Sequence, residues 1–357
     1  LPGNPRYQPK SLQGIFGYDN LYRPLGEVEI AVLRTLGEMG IVPAEDIALL
    51  NEEVVERILS IRTTEVDEVE RKVTKHDVRA WVRLAQERMP SSLRRWVHVP
   101  LTSYDALDTA RALQFRRAHE FVLKPHWKRV CGQFALLIDE FAETVQIGRT
   151  HGQHALPITV GFWLATVADR IMGNAHELDR HAEGLVGKIS GAVGARNAQV
   201  GLGFPSSFEE RVLERLGLKP AAISTQILPP EPLARFLFSA TMTSAVVAQF
   251  GRDCRHLMRS EIGEVVEEFV EGQVGSSTMA HKRNPITFEN LEGMYIGTKN
   301  EFGKVLDTMT SEHQRDLVAS SVMRDFPSII VKLTHQLETL LKEDRKGMPF
   351  VRRIGVD

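Results

Sequence analysis

Residues 232–269 read PLARFLFSATMTSAVVAQFGRDCRHLMRSEIGEVVEEF, and their pattern decides the fold. Phe236, Ala240, Thr243, Val247, Phe250, Cys254 and Leu257 step by four and three, and the series resumes one residue later at Met258, Ile262, Val265 and Phe269. That period belongs to a helix with one buried face. A helix over the whole stretch would run about 57 Å at 1.5 Å per residue, longer than a compact domain is wide. Rods of that length are commonly shared between subunits, so a homo-oligomer is expected.

Working outward, the same period predicts helices over 103–145, 157–189, 285–306 and 312–341, several with Pro at the first helical position, where the missing amide costs nothing. Towards the amino end it predicts helices over 24–40, 44–61 and 64–89, behind an arm rich in Pro and Gly. Strand-like alternation is scarce, so the fold class is all-α. The expected division is 1–99, a smaller N-terminal helical domain; 100–343, a central long-helix bundle; and 344–357, the start of a truncated third helical domain, in a chain that begins without Met.

Composition narrows the function. With 44 Lys and Arg against 46 Asp and Glu, the net charge is −2. No segment has the one-sided basic excess that nucleic acid or an anionic membrane demands. The only cysteines, Cys131 and Cys254, form neither a disulfide framework nor a thiolate metal site. No export signal or membrane span is read, and a cytoplasmic setting is expected.

Two loops between the rods carry unusual chemistry: the glycine-rich 187–203 and 271–285, EGQVGSSTMAHKRNP. In the second, Asn284 and Pro285 read as an N-cap and first helical residue, so free amides and Lys282 prepare an anion site beside Ser276 and Ser277. A mobile loop whose serines cap helices fits equally well. In 149–154, RTHGQH, His151 is expected in a glycine-containing turn at a helix entrance, held in one orientation as a general acid must be; a turn histidine bonded to carbonyls is the plainer alternative. His151 and His154 lack the carboxylate or Cys partners of a metal site, and none is expected.

In 98–105, HVPLTSYD, Thr102 and Asp105 have capping-box spacing, and Thr102 and Ser103 would suit a carboxylate or phosphate as well as a simple cap. His76 joins a stripe of Val66, Val69, Val73, Ala80 and Leu84, which favours a core histidine. The group 312–324, with Arg315, Ser320 and Arg324, reads by itself as a solvated helix start.

VGSSTMAHKRNP resembles the signature loop of the fumarase/aspartase superfamily. Arg6-Tyr7, KHDVRAW, HVPLTSYDALDTA, GRTHGQHALP, GKISGAVG, ISTQ and HQRDLVASSVMR narrow the resemblance to the purine-biosynthesis branch, which releases fumarate from a succinylated nucleotide. The resemblance implies a helical homotetramer with active sites shared between subunits, a small phosphorylated dicarboxylate nucleotide as substrate, and no cofactor. It implies Ser276 as general base and His151 as general acid, with Lys282 and Asn284 on the succinyl carboxylates, aided by Thr102, Ser103 and Asp105 and by Ser277. His76 and His98 would serve the site, Arg6, Tyr7, Arg315, Ser320 and Arg324 would hold the phosphate and purine end, and Gln226 the succinyl group. Two departures stand out: Ala280 where relatives have Pro, and ILPPEP after Gln226 where many have an Arg-Asp pair. A carboxymuconate cycloisomerase, or another lyase of the superfamily, is the alternative within it, although the cycloisomerase branch usually lacks the Thr-His motif. A catalytically silent helical scaffold is the alternative from another class; it leaves the polar loops unexplained.

Overall fold

The computed structural model describes residues 1–267, 279 and 282–341. Ser276, Ser277 and Ala280, and the segment 344–357, lie outside the described residues. The principal helices are α1 (Arg23–Glu38), α2 (Glu52–Leu59), α3 (Thr63–Val69), α4 (Asp77–Arg88), α5 (Ser103–Ala118), α6 (Lys124–Glu140), α7 (Val160–Glu183), α8 (Glu231–Leu257), α9 (Ile286–Asp307) and α10 (Pro327–Leu341). The chain is mostly helix, with little strand.

α8 is the axis of the bundle. Ala234, Phe236, Leu237, Ala240, Val247, Phe250 and Cys254 are buried among side chains of α6, α7, α9 and α10. Phe250 stacks on Trp163 at 5.9 Å and meets Phe134 edge-on at 5.3 Å, aromatic geometry that adds to area burial. Gly251 lets α9 approach: a Cβ there would lie 2.9 Å from the Phe288 carbonyl oxygen. Length and apolarity alone would let α8 cross a membrane, but two-thirds of its apolar window is buried inside the protein.

The expected rod over 232–269 is shorter than its stripe. α8 ends at Leu257, about 40 Å from its start. Its last carbonyls are satisfied by the chain doubling back through Gly263 (φ 65°), with Glu264 and Val265 amides donating to the Leu257 oxygen. Val265 regains the core by that reversal and not by continuing the helix.

Three further expectations are corrected. Residues 145–159 form an antiparallel ribbon, β1 (Val145–Thr150) with β2 (Gln153–Thr159), in place of the end of one helix and the start of the next. Pro157 therefore sits in a strand, and Thr159 caps α7 by accepting from the Phe162 amide. Residues 64–89 do not make one helix: a π turn at Glu70–Thr74 and Lys75 in the left-handed region (φ 54°) separate α3 from α4. The stretch 312–317 is a turn, with a short helix Val318–Val322 ahead of α10.

A second core joins α1, α2 and α4 to Ala106, Ala110 and Leu113 of α5 and to Ile189, Phe208 and Val212. Phe115 and Ala118, further along α5, belong to the bundle core. α5 thus ties the two cores together, and its amino end emerges where they meet.

Candidate active site

At that junction lies a cleft of about 920 Å³. Lys75, His76 and Asp77 line it from the start of α4, Thr102, Ser103 and Tyr104 from the start of α5, and Gln226, Arg315, Ser320 and Arg324 from the carboxyl-terminal half. Two helix amino termini face one space, and both favour negative charge. Four cationic side chains, Lys75, Arg111, Arg315 and Arg324, line the same walls, against Glu70 and Asp77.

Local chemistry explains how each group is held. Thr102 and Asp105 form the expected capping box, with the Thr102 amide donating to Asp105 Oδ2 at 2.9 Å. Arg315 stacks its guanidinium over the Tyr104 ring at 3.7 Å and donates from Nη1 to Gln226 Oε1 at 2.8 Å. That pairing of a planar cation with a ring face fixes arginine as lysine could not. Arg324 reaches Asp77 Oδ2 at 3.4 Å.

His76 is not the core histidine that the stripe predicts. The left-handed break at Lys75 turns it into the N-cap of α4, where Nδ1 accepts from the Arg79 amide and the side chain is 49% exposed on the cleft. Asp105, expected at the substrate, is buried: its oxygens accept from Lys188 Nζ and from the amides of Gly191 and Thr102. It shapes the wall without lining it.

His98 adopts φ 68°, and Glu29, fully buried on α1, takes both its backbone amide (3.0 Å) and its Nδ1 (2.6 Å). Burial is the largest single influence on the imidazole and would lower its pKa. The Glu29 hydrogen bond and charge outweigh it, and the net direction is upward.

Several other expected residues that the structure describes stand outside the cleft lining. His151 and Gly152, both at positive φ, make the two-residue turn at the tip of the β1–β2 ribbon, and His151 is exposed there. It lies at no helix entrance, because Gln146 and Arg149 bind the ribbon to Glu264 (3.0 and 2.5 Å) and Pro157 extends β2. Arg6 is exposed in a short turn, Tyr7 packs edge-on against His335, and Lys282 is exposed. Arg6, Tyr7, His98, Lys282 and Asn284 are absent from the cleft lining.

The anion site expected at the start of α9 is partly filled. Pro285 occupies the N-cap position, and the buried Glu267 carboxylate accepts from the Thr287 amide (3.1 Å) and hydroxyl. Sequence reasoning missed Tyr18, Tyr22, Arg111 and Gln114 among the lining residues. No local motif marks them, because they reach the cleft from the arm before α1 and from one face of α5.

Residues 27–297 match the lyase family. The chain is 34% identical over 341 residues to "Adenylosuccinate lyase" of Bacillus subtilis (strain 168), covering 93% of this chain and 74% of that protein. It is 36% identical over 366 residues to the protein of the same name from Archaeoglobus fulgidus, covering 98% and 79%. The fold is also that of the β-carboxy-cis,cis-muconate cycloisomerase of Acinetobacter calcoaceticus sp. ADP1 (TM-score 0.80, 21% identity, covering 93% of this chain and 74% of that one). The chain belongs to the adenylosuccinate lyases of the fumarase/aspartase superfamily.

Proposed function

We propose that the protein eliminates fumarate from adenylosuccinate to give AMP, and acts likewise on the succinylated aminoimidazole carboxamide ribotide. The observation that carries the reading is the cleft, where two helix amino termini, paired hydroxyls and four cations surround a space fit for a phosphorylated dicarboxylate. In the proposed reaction Ser276 takes the proton from the succinyl carbon next to a carboxylate. The electron pair passes into that carboxylate, which becomes a dianionic aci-acid held by Lys282, Asn284, Thr102 and Ser103. Its collapse forms the fumarate double bond and breaks the carbon–nitrogen bond, and His151 protonates the departing nitrogen. A serine can act as base only where fixed positive charge and amide donors stabilise its alkoxide. Arg315, Ser320 and Arg324, with Arg6 and Tyr7, would hold the phosphate and purine, and Gln226 the succinyl end.

This reading takes the protein as a cytoplasmic homotetramer. The exposed position of His151, at a hairpin tip outside the cleft lining, supports the sharing of sites between subunits, since such a tip can be supplied to a neighbour's site. Ser276→Ala and His151→Ala are each expected to lower kcat by about 100-fold or more while helix content is kept. Turnover near wild type in either variant would remove that residue from the mechanism.

A further inference from the structure

We infer that Lys188 is a positioning residue for the cleft, a buried cation that fixes the first turn of α5 through Asp105. Among the described residues it is the only buried lysine or arginine, with no exposed surface. Its Nζ donates to Asp105 Oδ1 and to the Gly191 carbonyl (3.3 Å). Asp105 also accepts from the Gly191 amide with both oxygens (3.1 and 3.2 Å) and from the Thr102 amide with Oδ2 (2.9 Å). The carboxylate that caps the Thr102–Ser103–Tyr104 wall is therefore the one that neutralises Lys188.

The lysine is itself clamped. Thr109, one turn along α5, donates from Oγ1 to the Lys188 carbonyl (3.0 Å) and accepts its amide (3.1 Å). Gly187 presses so closely on the neighbouring helices that a Cβ would lie 2.4 Å from Leu213 Cδ2. The segment then turns at Gly191 (φ 85°), while Ser190 and Ser224 join hydroxyls at 2.7 Å, two residues before Gln226. Residues 187–191 thus bridge the α5 wall and the Gln226–Arg315 wall, which close on each other through the Arg315–Tyr104 stack.

Stability alone is a poor reason for such a pair. Removing two charges from water is costly, and apolar residues of similar volume are often as stable or more so. What an apolar pair cannot do is accept the Thr102 and Gly191 amides together, and those amides set where the cleft hydroxyls stand.

The test compares Lys188→Met, the apolar double variant Lys188→Met with Asp105→Leu, and Val212→Ala as a destabilised core control away from the cleft. Only the kinetic arm rests on the proposed function. In both Lys188 variants the amides of residues 102–104 should exchange with deuterium about tenfold faster or more, with α8 unchanged. KM for adenylosuccinate should rise and kcat fall, lowering kcat/KM about tenfold or more, because Thr102 and Ser103 would hold the succinyl carboxylate in the substrate and in the aci-acid alike. The double variant keeps the inference testable if Lys188→Met fails to fold, because it buries no unpaired charge. Exchange and kcat/KM in the folded double variant no different from Val212→Ala would overturn the inference. Wild-type protein that leaves adenylosuccinate intact would overturn the proposed function instead, and exchange alone would then decide the role of Lys188.

Discussion

Glu29 and His98 show how a single buried carboxylate sets the state of a histidine. Because the folded pKa of His98 lies above its ordinary 6.5, the ionic pair contributes its full stability below that value and loses it as pH rises through the raised folded pKa. Glu29→Gln is therefore expected to destabilise most near about pH 5.5 and least near about pH 8.5, measured by urea denaturation across that range. It should also lower the His98 pKa in an NMR titration. A stability loss independent of pH would mean that Glu29 only fills space. The Thr102–Asp105 cap was legible in the sequence because it is local, three residues apart on one turn. The Glu29–His98 pair and the Arg315–Tyr104 stack were not, since each joins residues that only the tertiary fold brings together.

At the scale of elements, the apolar stripe identified α8 correctly and overran its end. Periodicity records which residues are buried, and Val265 is buried by a chain reversal that preserves the pattern while ending the helix. The same weakness misassigned His76: the π turn and Lys75 shift the helical phase, so a residue in register with α3 faces the cleft at the start of α4. His151 was read into a helix entrance because Pro157 looks like a first helical residue; strand pairing of Arg149 with His154 overrides that preference. Because α8 is the bundle axis, Phe250 is a critical side chain, packed between Trp163 and Phe134. Phe250→Ala is expected to cost about 3–5 kcal/mol in equilibrium unfolding, the range for truncating a buried aromatic. A cost under about 1 kcal/mol would show that α8 does not organise the core.

Over the whole molecule, near-neutral charge coexists with a cleft in which cations outnumber carboxylates, so attraction for substrate is focused rather than spread over the surface. The long helices leave Phe162 on α7, Phe238 and Met242 on α8 and Ile296 on α9 exposed, between 41% and 59%. A contact between subunits, as proposed above, would cover side chains of that size. Sedimentation at micromolar concentration is expected to give an assembly larger than one chain, and a monomer with full activity would contradict the shared-site reading.

The most direct measurement is to mix the protein with adenylosuccinate and follow both products. Loss of the succinyl group is expected, with AMP and fumarate released in equal amounts. Adenylosuccinate remaining intact in the presence of folded, assembled protein would contradict the proposed function.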